Sequence, residues 1–284
     1  MQVADHFFAE NGHPAKNIQA LGCCRRRTPQ TRQRRAHPTP SHRRVGLAGL
    51  DSNRRRRSVS VGFGRCGNCR FRGGSFRLDF RRVGANQRIA TSAGTRRRAI
   101  AVRADSADPA AIRNAVAGTV ERLGTLDVAV VNAGVLRLAL VEAFTLEDLD
   151  LMLDVNARGV FLAIQASVAR MHDGGRVVTI GSNTAVRTGS QGSSAYAMTK
   201  AAVATMVKGI ALDLAPRQIT VNNVQPGPTE TDMTTAMVAR LREVIPVGRM
   251  GRPDEIAALV SYLAGPESAY MTGASLTIDG GYVL

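Results

Sequence analysis

The sequence predicts an α/β fold built on a doubly wound parallel sheet. From residue 99 onward, apolar runs of strand length alternate with segments of helical periodicity. The connections are short, and several strands end in a polar or glycine-containing turn, which is where open parallel sheets bind ligands. A chain of 284 residues that is 44% hydrophobic also has enough apolar surface to bury a sizeable core.

The first predicted strand and helix lie between residues 99 and 124. Residues 99–104 form a short apolar strand that ends at Asp105. Asp108 is placed to cap a helix that has Pro109 in its first turn and ends at Gly124. The apolar residues of this helix recur at helical spacing: Ile112, Val116, Val120 and Leu123.

A strand at Leu126–Val131 and a long helix at about residues 145–171 follow. The strand is nearly continuously apolar, which indicates burial on both faces. Thr145 and Asp148 occupy the positions of a capping box at the start of the helix. The stripe predicted to face the core consists of Leu149, Leu153, Asn156 and Val160. It therefore carries one polar side chain.

The rest of the chain continues the alternation of strands and helices. In chain order we predict a strand at 176–180, a helix at 194–214, a strand at 219–224, a loop with a short helix at 229–248, a helix at 253–264 and a last strand at Ser275–Ile278. This order is typical of parallel strands that are joined by crossover helices.

Charge divides the chain sharply into two parts. Residues 1–98 carry 23 Lys and Arg residues against 4 Asp and Glu, whereas residues 99–284 carry 15 against 18. The basic part is interleaved with Pro, Gly and Ser and has no sustained strand or helix period. We interpret residues 1–98 as an atypical basic segment, either disordered or translated from the wrong reading frame, and residues 99–284 as the folded domain. A nucleic-acid-binding arm is the less favoured alternative.

Two short motifs lie inside the basic segment. Gly62-Phe-Gly64-Arg-Cys-Gly67 matches GxGxxG after the apolar run at 59–61, but the residues that follow it predict a poor helix. Cys66-Gly-Asn-Cys69 has CxxC spacing, but no second Cys or His pair follows at the spacing of a metal site. We favour an accidental match for both motifs and predict no metal site.

The sequence contains no run of about 18 consecutive apolar residues, the length that a membrane span requires. Acidic residues precede any apolar run at the N-terminus, so no secretory signal is indicated. We therefore expect a cytoplasmic protein without a membrane partner.

Tyr196, Lys200 and Ser182 form the most informative group of side chains. Tyr196 and Lys200 are four residues apart at the start of a predicted helix, so both project from one face. An ammonium and a helix N-terminus both favour phenolate, so we expect the pKa of Tyr196 to be lowered. Such a phenol can exchange a proton with a carbonyl oxygen, and Ser182 at a neighbouring strand end can hydrogen-bond the same oxygen.

These motifs together resemble the short-chain dehydrogenase/reductase family, and most closely its beta-ketoacyl-carrier-protein reductase-like members. The resemblance extends over about residues 99–284. It is carried by Asn132-Ala133-Gly134, Asn156, Ser182, Tyr196-Ala-Met-Thr-Lys200, Pro226-Gly-Pro-Thr-Glu-Thr231 and Thr277-Ile-Asp-Gly-Gly281. The family implies a Rossmann-like fold. Val131 replaces the first Asn of the family's Asn-Asn-Ala-Gly, and the family's TGxxxGxG turn is not recognisable upstream.

The resemblance implies a role for each matching residue. Tyr196 is expected to be the acid/base, Ser182 to orient the substrate carbonyl, and Lys200 to lower the tyrosine pKa and bind the nicotinamide ribose. Asn156 is expected to anchor a water in a proton relay. The remaining residues are expected to contact the cofactor: Asp105 at the adenine, Asn132 and Gly134 along the cleft, and Thr229 and Thr231 at the nicotinamide amide and phosphates.

The implied reaction is hydride transfer between NADP or NAD and a small ketone, oxoacyl or alcohol substrate. Similarity to ketoacyl reductases favours NADP. By the same resemblance, the helices at 145–171 and 194–214 imply a dimer or tetramer of identical subunits. Activity of this chain depends on whether the unrecognisable front third supplies a phosphate cradle. Two alternatives are a catalytically impaired, nucleotide-binding regulator and a nucleic-acid binder that uses the basic arm.

Overall fold

A computed structural model of the chain describes residues 98–231, 234, 241 and 243–284, with side chains from Ile100 onward. It also describes the backbone of five strands closer to the N-terminus. These are β1 (Ile18–Arg25), β2 (Arg57–Phe63), β3 (Cys69–Phe71), β4 (Gly74–Phe76) and β5 (Ile89–Thr91). Gly64, Cys66 and Gly67 of the two short motifs lie outside the described residues.

Five further strands come from the part of the chain with readable patterning. They are β6 (Arg98–Arg103), β7 (Leu126–Val131), β8 (Met171–Ile180), β9 (Thr220–Pro226) and β10 (Ser275–Ile278). Eight strands form one sheet in the order β10-β9-β8-β7-β2-β1-β6-β5, and β3 pairs with β4 separately. β7 and β10 have the predicted bounds, because β7 is a nearly continuous apolar run and β10 alternates polar and apolar residues between turn residues.

The sheet is mainly parallel, as predicted. β7 to β10 pair in parallel, and β2 pairs in parallel with β7 at Ser60↔Val128. β1 is antiparallel to both β2 and β6, and β5 is antiparallel to β6. The sheet thus differs from a purely parallel one at β1 and β5. β5 and β6 are joined by a short connection, which permits only antiparallel pairing.

Five α-helices in the described part of the chain cover the sheet. They are α1 (Pro109–Leu123), α2 (Leu146–Leu153), α3 (Gly159–Val168), α4 (Ser194–Leu214) and α5 (Pro253–Leu263). The predicted start of α1 is confirmed, since the Asp108 side chain accepts a hydrogen bond from the Ala110 N–H. The predicted start and end of α4 are also confirmed.

The core has two layers because successive residues of a strand point to opposite faces. Val177 and Val221 lie in a cluster with residues of α1, α3 and α4 on one face. The adjacent Val178 packs with Val260 and Leu263 of α5 on the other face. The sheet is therefore covered on both sides, as a doubly wound fold requires.

The prediction of one continuous helix over about residues 145–171 is wrong in two respects. A π-helical turn at Asp154–Arg158 separates α2 from α3, and strand β8 already begins at Met171. The extra residue of the π turn rotates the helix face, so Leu153 is exposed while Met152 and Val155 are buried. The main chain leaves the helix after Val168, whose carbonyl accepts a hydrogen bond from Arg217.

Leu146–Val168 satisfies the length and hydropathy criteria for a membrane-crossing helix, with a mean hydropathy of 1.2 in its most apolar window. In this fold, however, 44% of that window is buried inside the protein. A helix that packs in a protein core meets the same criteria, so this segment is only weak evidence for a membrane span.

Candidate active site

The carboxyl ends of β7, β8 and β9 bring three polar turns to one edge of the sheet. Asn132-Ala133-Gly134 follows β7, Ser182 follows β8, and Gly227 follows β9. The first turn of α4, which carries Tyr196, begins at Ser194 beside them. Parallel strands bind ligands at this edge, so the fold alone points to it as the functional site.

The Ser182 hydroxyl lies close enough to the Tyr196 phenol to lower the pKa of Tyr196. Ser182 is buried and Tyr196 is half-buried, although they lie in different elements of the fold. Burial raises the pKa of Tyr196 above its usual value, and the hydrogen bond from Ser182 opposes that rise. The pair therefore brings a protonated phenol and a hydroxyl donor to one point.

The predicted lowering of the Tyr196 pKa is wrong for the protein described here. Removing the phenolate from water raises the pKa of Tyr196 by more than Ser182 lowers it, so the pKa is raised overall. The Lys200 ammonium lies 5.7 Å from the centre of the Tyr196 ring, as the four-residue spacing predicts. Spacing alone could not predict the burial penalty, because burial depends on the packing of other elements.

Lys200 is a buried cation, with 4% of its surface exposed. Its Nζ donates a hydrogen bond to the Ile180 carbonyl at 3.1 Å, and no ion pair to Lys200 is found among the described residues. Burial lowers the pKa of Lys200 to about 8, so the ammonium form prevails at neutral pH. An ammonium has three N–H donors, and two remain for groups in the cleft.

Gly134 gives the cleft the space that Lys200 needs. A Cβ at this position would lie 3.3 Å from Lys200 Nζ and 3.4 Å from Asn156 Oδ1. The three residues therefore meet at one place, although they come from a strand end, a π turn and a helix. The structure thus brings together Asn156, Ser182, Tyr196, Lys200 and Gly134, and the roles expected of them stay predictions.

Asn156 is completely buried within the π turn. Its Oδ1 accepts a hydrogen bond from Val135 N at 2.8 Å, and its Nδ2 donates to Val135 O at 2.9 Å and to Thr199 Oγ1 at 3.2 Å. The side chain is therefore occupied by protein partners. Its expected role in anchoring a relay water stays a prediction.

The predicted cofactor residues lie at the same sheet edge without forming one contact cluster. Asp105 is exposed after β6, and its carboxylate accepts a hydrogen bond from Ala107 N. Asn132 is half-buried at the end of β7. Thr229 donates to the Gly227 carbonyl, and Thr231 N–H donates to Thr234 Oγ1. Their predicted contacts with a cofactor stay predictions.

Sequence reasoning missed several residues that support this site. Thr199 Oγ1 donates to the Tyr196 carbonyl at 2.8 Å and accepts from Asn156. Thr184 donates twice to Ser182 Oγ, from its hydroxyl and from its N–H. Asn183 Nδ2 donates to Asp279 Oδ2. All of them adjoin predicted site residues in sequence or close a turn, and that adjacency is the only signal that could have found them.

No three His, Cys, Asp or Glu side chains converge as metal ligands within the described part of the chain. The side chains that the fold gathers at the site supply a phenol, a hydroxyl and an ammonium. A phenol held by a hydroxyl donor can give a proton to a substrate oxygen or take one from it.

A comparison with protein families identifies the chain. The profile described as Enoyl-(Acyl carrier protein) reductase matches residues 62–283. The chain belongs to the short-chain dehydrogenase/reductase family. The match begins within β2, the strand that pairs with β7 in the middle of the sheet.

Named short-chain dehydrogenase/reductase relatives share a large part of the chain. The cyclic-di-GMP-binding biofilm dispersal mediator protein of Escherichia coli K12 is 39% identical over 201 residues, which cover 70% of this chain and 81% of the relative. The 3-oxoacyl-[acyl-carrier-protein] reductase FabG of Thermotoga maritima is 40% identical over 179 residues, which cover 61% and 72%.

A solved short-chain dehydrogenase from Burkholderia cenocepacia J2315, in complex with NADP, has the same fold. It is 45% identical, with a TM-score of 0.62 over 64% of this chain and 76% of that chain. This family uses NAD(P), and the Rossmann-like α/β fold predicted from the sequence is confirmed.

Proposed function

We propose that the protein is an NADP(H)-dependent oxidoreductase that reduces a small ketone or oxoacyl substrate, with Tyr196 as the proton donor. The observation that carries this proposal is the placement of Tyr196 beside Ser182 and one helical turn from the buried Lys200. This arrangement assembles a proton donor, a group that orients the carbonyl and a cation around one cleft.

The residues of the cleft fit a nicotinamide cofactor. Lys200 has donor capacity that the described residues leave unused, and Gly134 keeps the space beside its Nζ open. Lys200 would hold the ribose hydroxyls, and Asn132 and Gly134 would line the cleft. When bound, the cofactor supplies the hydride. NADP is favoured over NAD by the NADP and NADPH complexes among related structures.

The protein's own groups would handle the proton. Because burial raises the pKa of Tyr196, the phenol keeps its proton at neutral pH and can donate it to the carbonyl oxygen. Ser182 would donate a hydrogen bond to the same oxygen and hold it in place. The Lys200 ammonium would stabilise the phenolate that remains after proton transfer. This order of events favours reduction at neutral pH.

The Tyr196→Phe substitution tests the proposal, since it removes only the reacting hydroxyl. NADPH oxidation with an acetoacetyl thioester should fall by at least about a thousandfold, while NADPH affinity should change by less than about threefold. Tyr270→Phe is the matched control, because Tyr270 is fully exposed, and it should leave turnover unchanged. Turnover that survives in Tyr196→Phe would contradict the assignment.

A second candidate function is that of a nucleotide-binding regulator. It is favoured by the relative named as a cyclic-di-GMP-binding protein, which shares 39% identity over most of its length. Calorimetry with cyclic di-GMP distinguishes the two functions. A regulator would bind this nucleotide tightly, show no turnover with NADPH, and behave identically with and without the Tyr196 hydroxyl.

We further propose that the protein self-associates through the helices of residues 146–168 and 194–214. Both expose large apolar side chains to solvent, namely Leu146, Phe161 and Leu212. Exposed apolar side chains on neighbouring helices are typical of a subunit interface. Sedimentation should give the mass of a dimer or tetramer, and Phe161→Asp should shift it towards the monomer. A monomeric native protein would refute this proposal.

A further inference from the structure

The Ser182 hydroxyl accepts two hydrogen bonds from a single residue, Thr184. Thr184 Oγ1 donates to Ser182 Oγ at 2.9 Å, and Thr184 N–H donates to the same oxygen at 3.2 Å. A serine hydroxyl has two acceptor positions and one proton. Thr184 therefore fills both acceptor positions, and the Ser182 proton remains free to be donated elsewhere.

The Ser182 proton has one partner at hand in the described structure. Ser182 is buried, with 8% of its surface exposed, so little water competes for its hydrogen bonds. The Tyr196 phenol is the neighbouring group whose pKa Ser182 lowers. Since Thr184 already occupies the Ser182 oxygen, Ser182 is left as the donor toward Tyr196, whose oxygen would be the acceptor.

We propose that Thr184 is a positioning residue that makes Ser182 a hydrogen-bond donor toward the reacting oxygen. This inference rests on the proposed function, because it assigns a direction to the Ser182 hydrogen bond at the same site. Without the Thr184 hydroxyl, one acceptor position of Ser182 opens. Tyr196 could then donate its proton to Ser182 instead of presenting it to a substrate.

The direction of this bond matters for the chemistry. A donor at Ser182 stabilises the phenolate of Tyr196 and the developing negative charge on a substrate carbonyl, whereas an acceptor would stabilise neither. The cation that faces the phenol is Lys200, 5.7 Å from the ring centre, and substitutions at Thr184 leave it in place. A change in the pKa of Tyr196 in these variants would therefore be due to Ser182.

Tyrosine ionisation tests the inference without requiring turnover. The chain has four tyrosines and no tryptophan, so its near-ultraviolet change at alkaline pH comes from tyrosine alone. Subtracting the curve of a Tyr196→Phe variant isolates Tyr196. The Thr184→Val substitution keeps the N–H and the side-chain shape but removes the hydroxyl. It should move the Tyr196 ionisation to higher pH, and Thr184→Ser should restore the original curve.

Kinetics provide the second readout. With NADPH and an acetoacetyl thioester, Thr184→Val should lower kcat about fivefold, the worth of one hydrogen bond, while KM for NADPH stays unchanged. Thr184→Ser should recover the native kcat. Thr125→Val is the matched control, because Thr125 is exposed at the opposite end of the sheet, and it should change neither readout. Thr184→Ala serves as a second variant without a hydroxyl.

The outcomes separate this inference from the proposed function. Identical Tyr196 curves for the native protein and Thr184→Val, or a Thr184→Ser curve that matches Thr184→Val, would overturn the role of Thr184. A native protein that shows no turnover while Thr184→Val still shifts the Tyr196 curve would refute the oxidoreductase assignment alone.

Discussion

Asn156 binds the main chain of Val135 through both ends of its amide. The N–H of Val135 donates to Oδ1 at 2.8 Å, and the carbonyl of Val135 accepts from Nδ2 at 2.9 Å. This pairing joins the π turn between α2 and α3 to the residue that follows Gly134. The Asn156 side chain therefore fixes the wall of the cleft beside Lys200.

Asn156→Asp should destabilise the protein by about 2 kcal/mol at neutral pH, because a carboxylate cannot donate to the Val135 carbonyl and would leave that partly buried acceptor without its partner. Urea unfolding measures the change. Asn114→Asp is the control, since Asn114 is exposed on α1, and its effect should stay within about 0.5 kcal/mol. Equal effects of the two variants would show that the amide pairing contributes nothing.

Gly134→Ala should lower kcat about tenfold while the protein stays folded, because the new methyl group would displace Lys200 Nζ by a few tenths of an ångström. Steady-state kinetics with NADPH measure this. Gly118→Ala is the matched control, since nothing lies within 4 Å of a Cβ at that helical position. It should stabilise α1 by about 0.5–1 kcal/mol and leave kcat unchanged. Native kcat in Gly134→Ala would exclude a need for glycine there.

Lys200→Met should stabilise the folded protein at neutral pH. The pKa of Lys200 is about 8 when folded and 10.5 when unfolded, so the unfolded state binds more protons between these values and native stability rises with pH across that window. At about 1.4 kcal/mol per pKa unit, burial of the charged Lys200 lowers the free energy of unfolding by about 3 kcal/mol below pH 8. Loss of the hydrogen bond to Ile180 reduces the expected gain to about 2 kcal/mol.

Urea unfolding of the native protein and Lys200→Met between pH 7 and pH 10.5 provides the measurement. The gain in stability should shrink steadily as the pH rises through 8 toward 10.5. A difference that stays constant over this range would mean that Lys200 is not held at a depressed pKa.

Gly159→Ala should destabilise the fold by about 2–4 kcal/mol, because a Cβ there would lie 2.3 Å from the main-chain oxygen of Ser106. Main-chain atoms form both sides of this contact, so relieving it would require the backbone of α3 or of Ser106 to shift. Gly209→Ala, in the middle of α4 with nothing within 4 Å, should instead be stabilising. Thermal unfolding of the two variants gives the comparison, and a stabilised Gly159→Ala would show that α3 does not approach Ser106 so closely.

Much of the fold and of the central site could be predicted from sequence because the signals are local. A nearly continuous apolar run sets the bounds of β7, an alternating run sets those of β10, and the four-residue spacing on a helix places Tyr196 and Lys200 on one face. These features depend on periodicity and capping, which neighbouring residues determine.

Other features depend on contacts between distant segments. The π turn at Asp154–Arg158 contains Asn156, which pairs with Val135, 21 residues away, and no local pattern indicates it. The rise in the Tyr196 pKa arises from tertiary burial. The positions of β1 and β2 in the sheet could not be predicted, because residues 1–98 carry little periodic signal.

Asp279 connects the last strand to the turn that carries Ser182. Its carboxylate accepts hydrogen bonds from Asn183 Nδ2, Gly281 N and Val283 N, and Gly227 lies so close that a Cβ there would be 2.3 Å from Asp279 Cβ. Proteolytic removal of residues 279–284 would therefore free the turn that carries Ser182. An otherwise intact Ser182 side chain would then lose its alignment, so the integrity of residues 279–284 would limit the shelf life of a purified preparation.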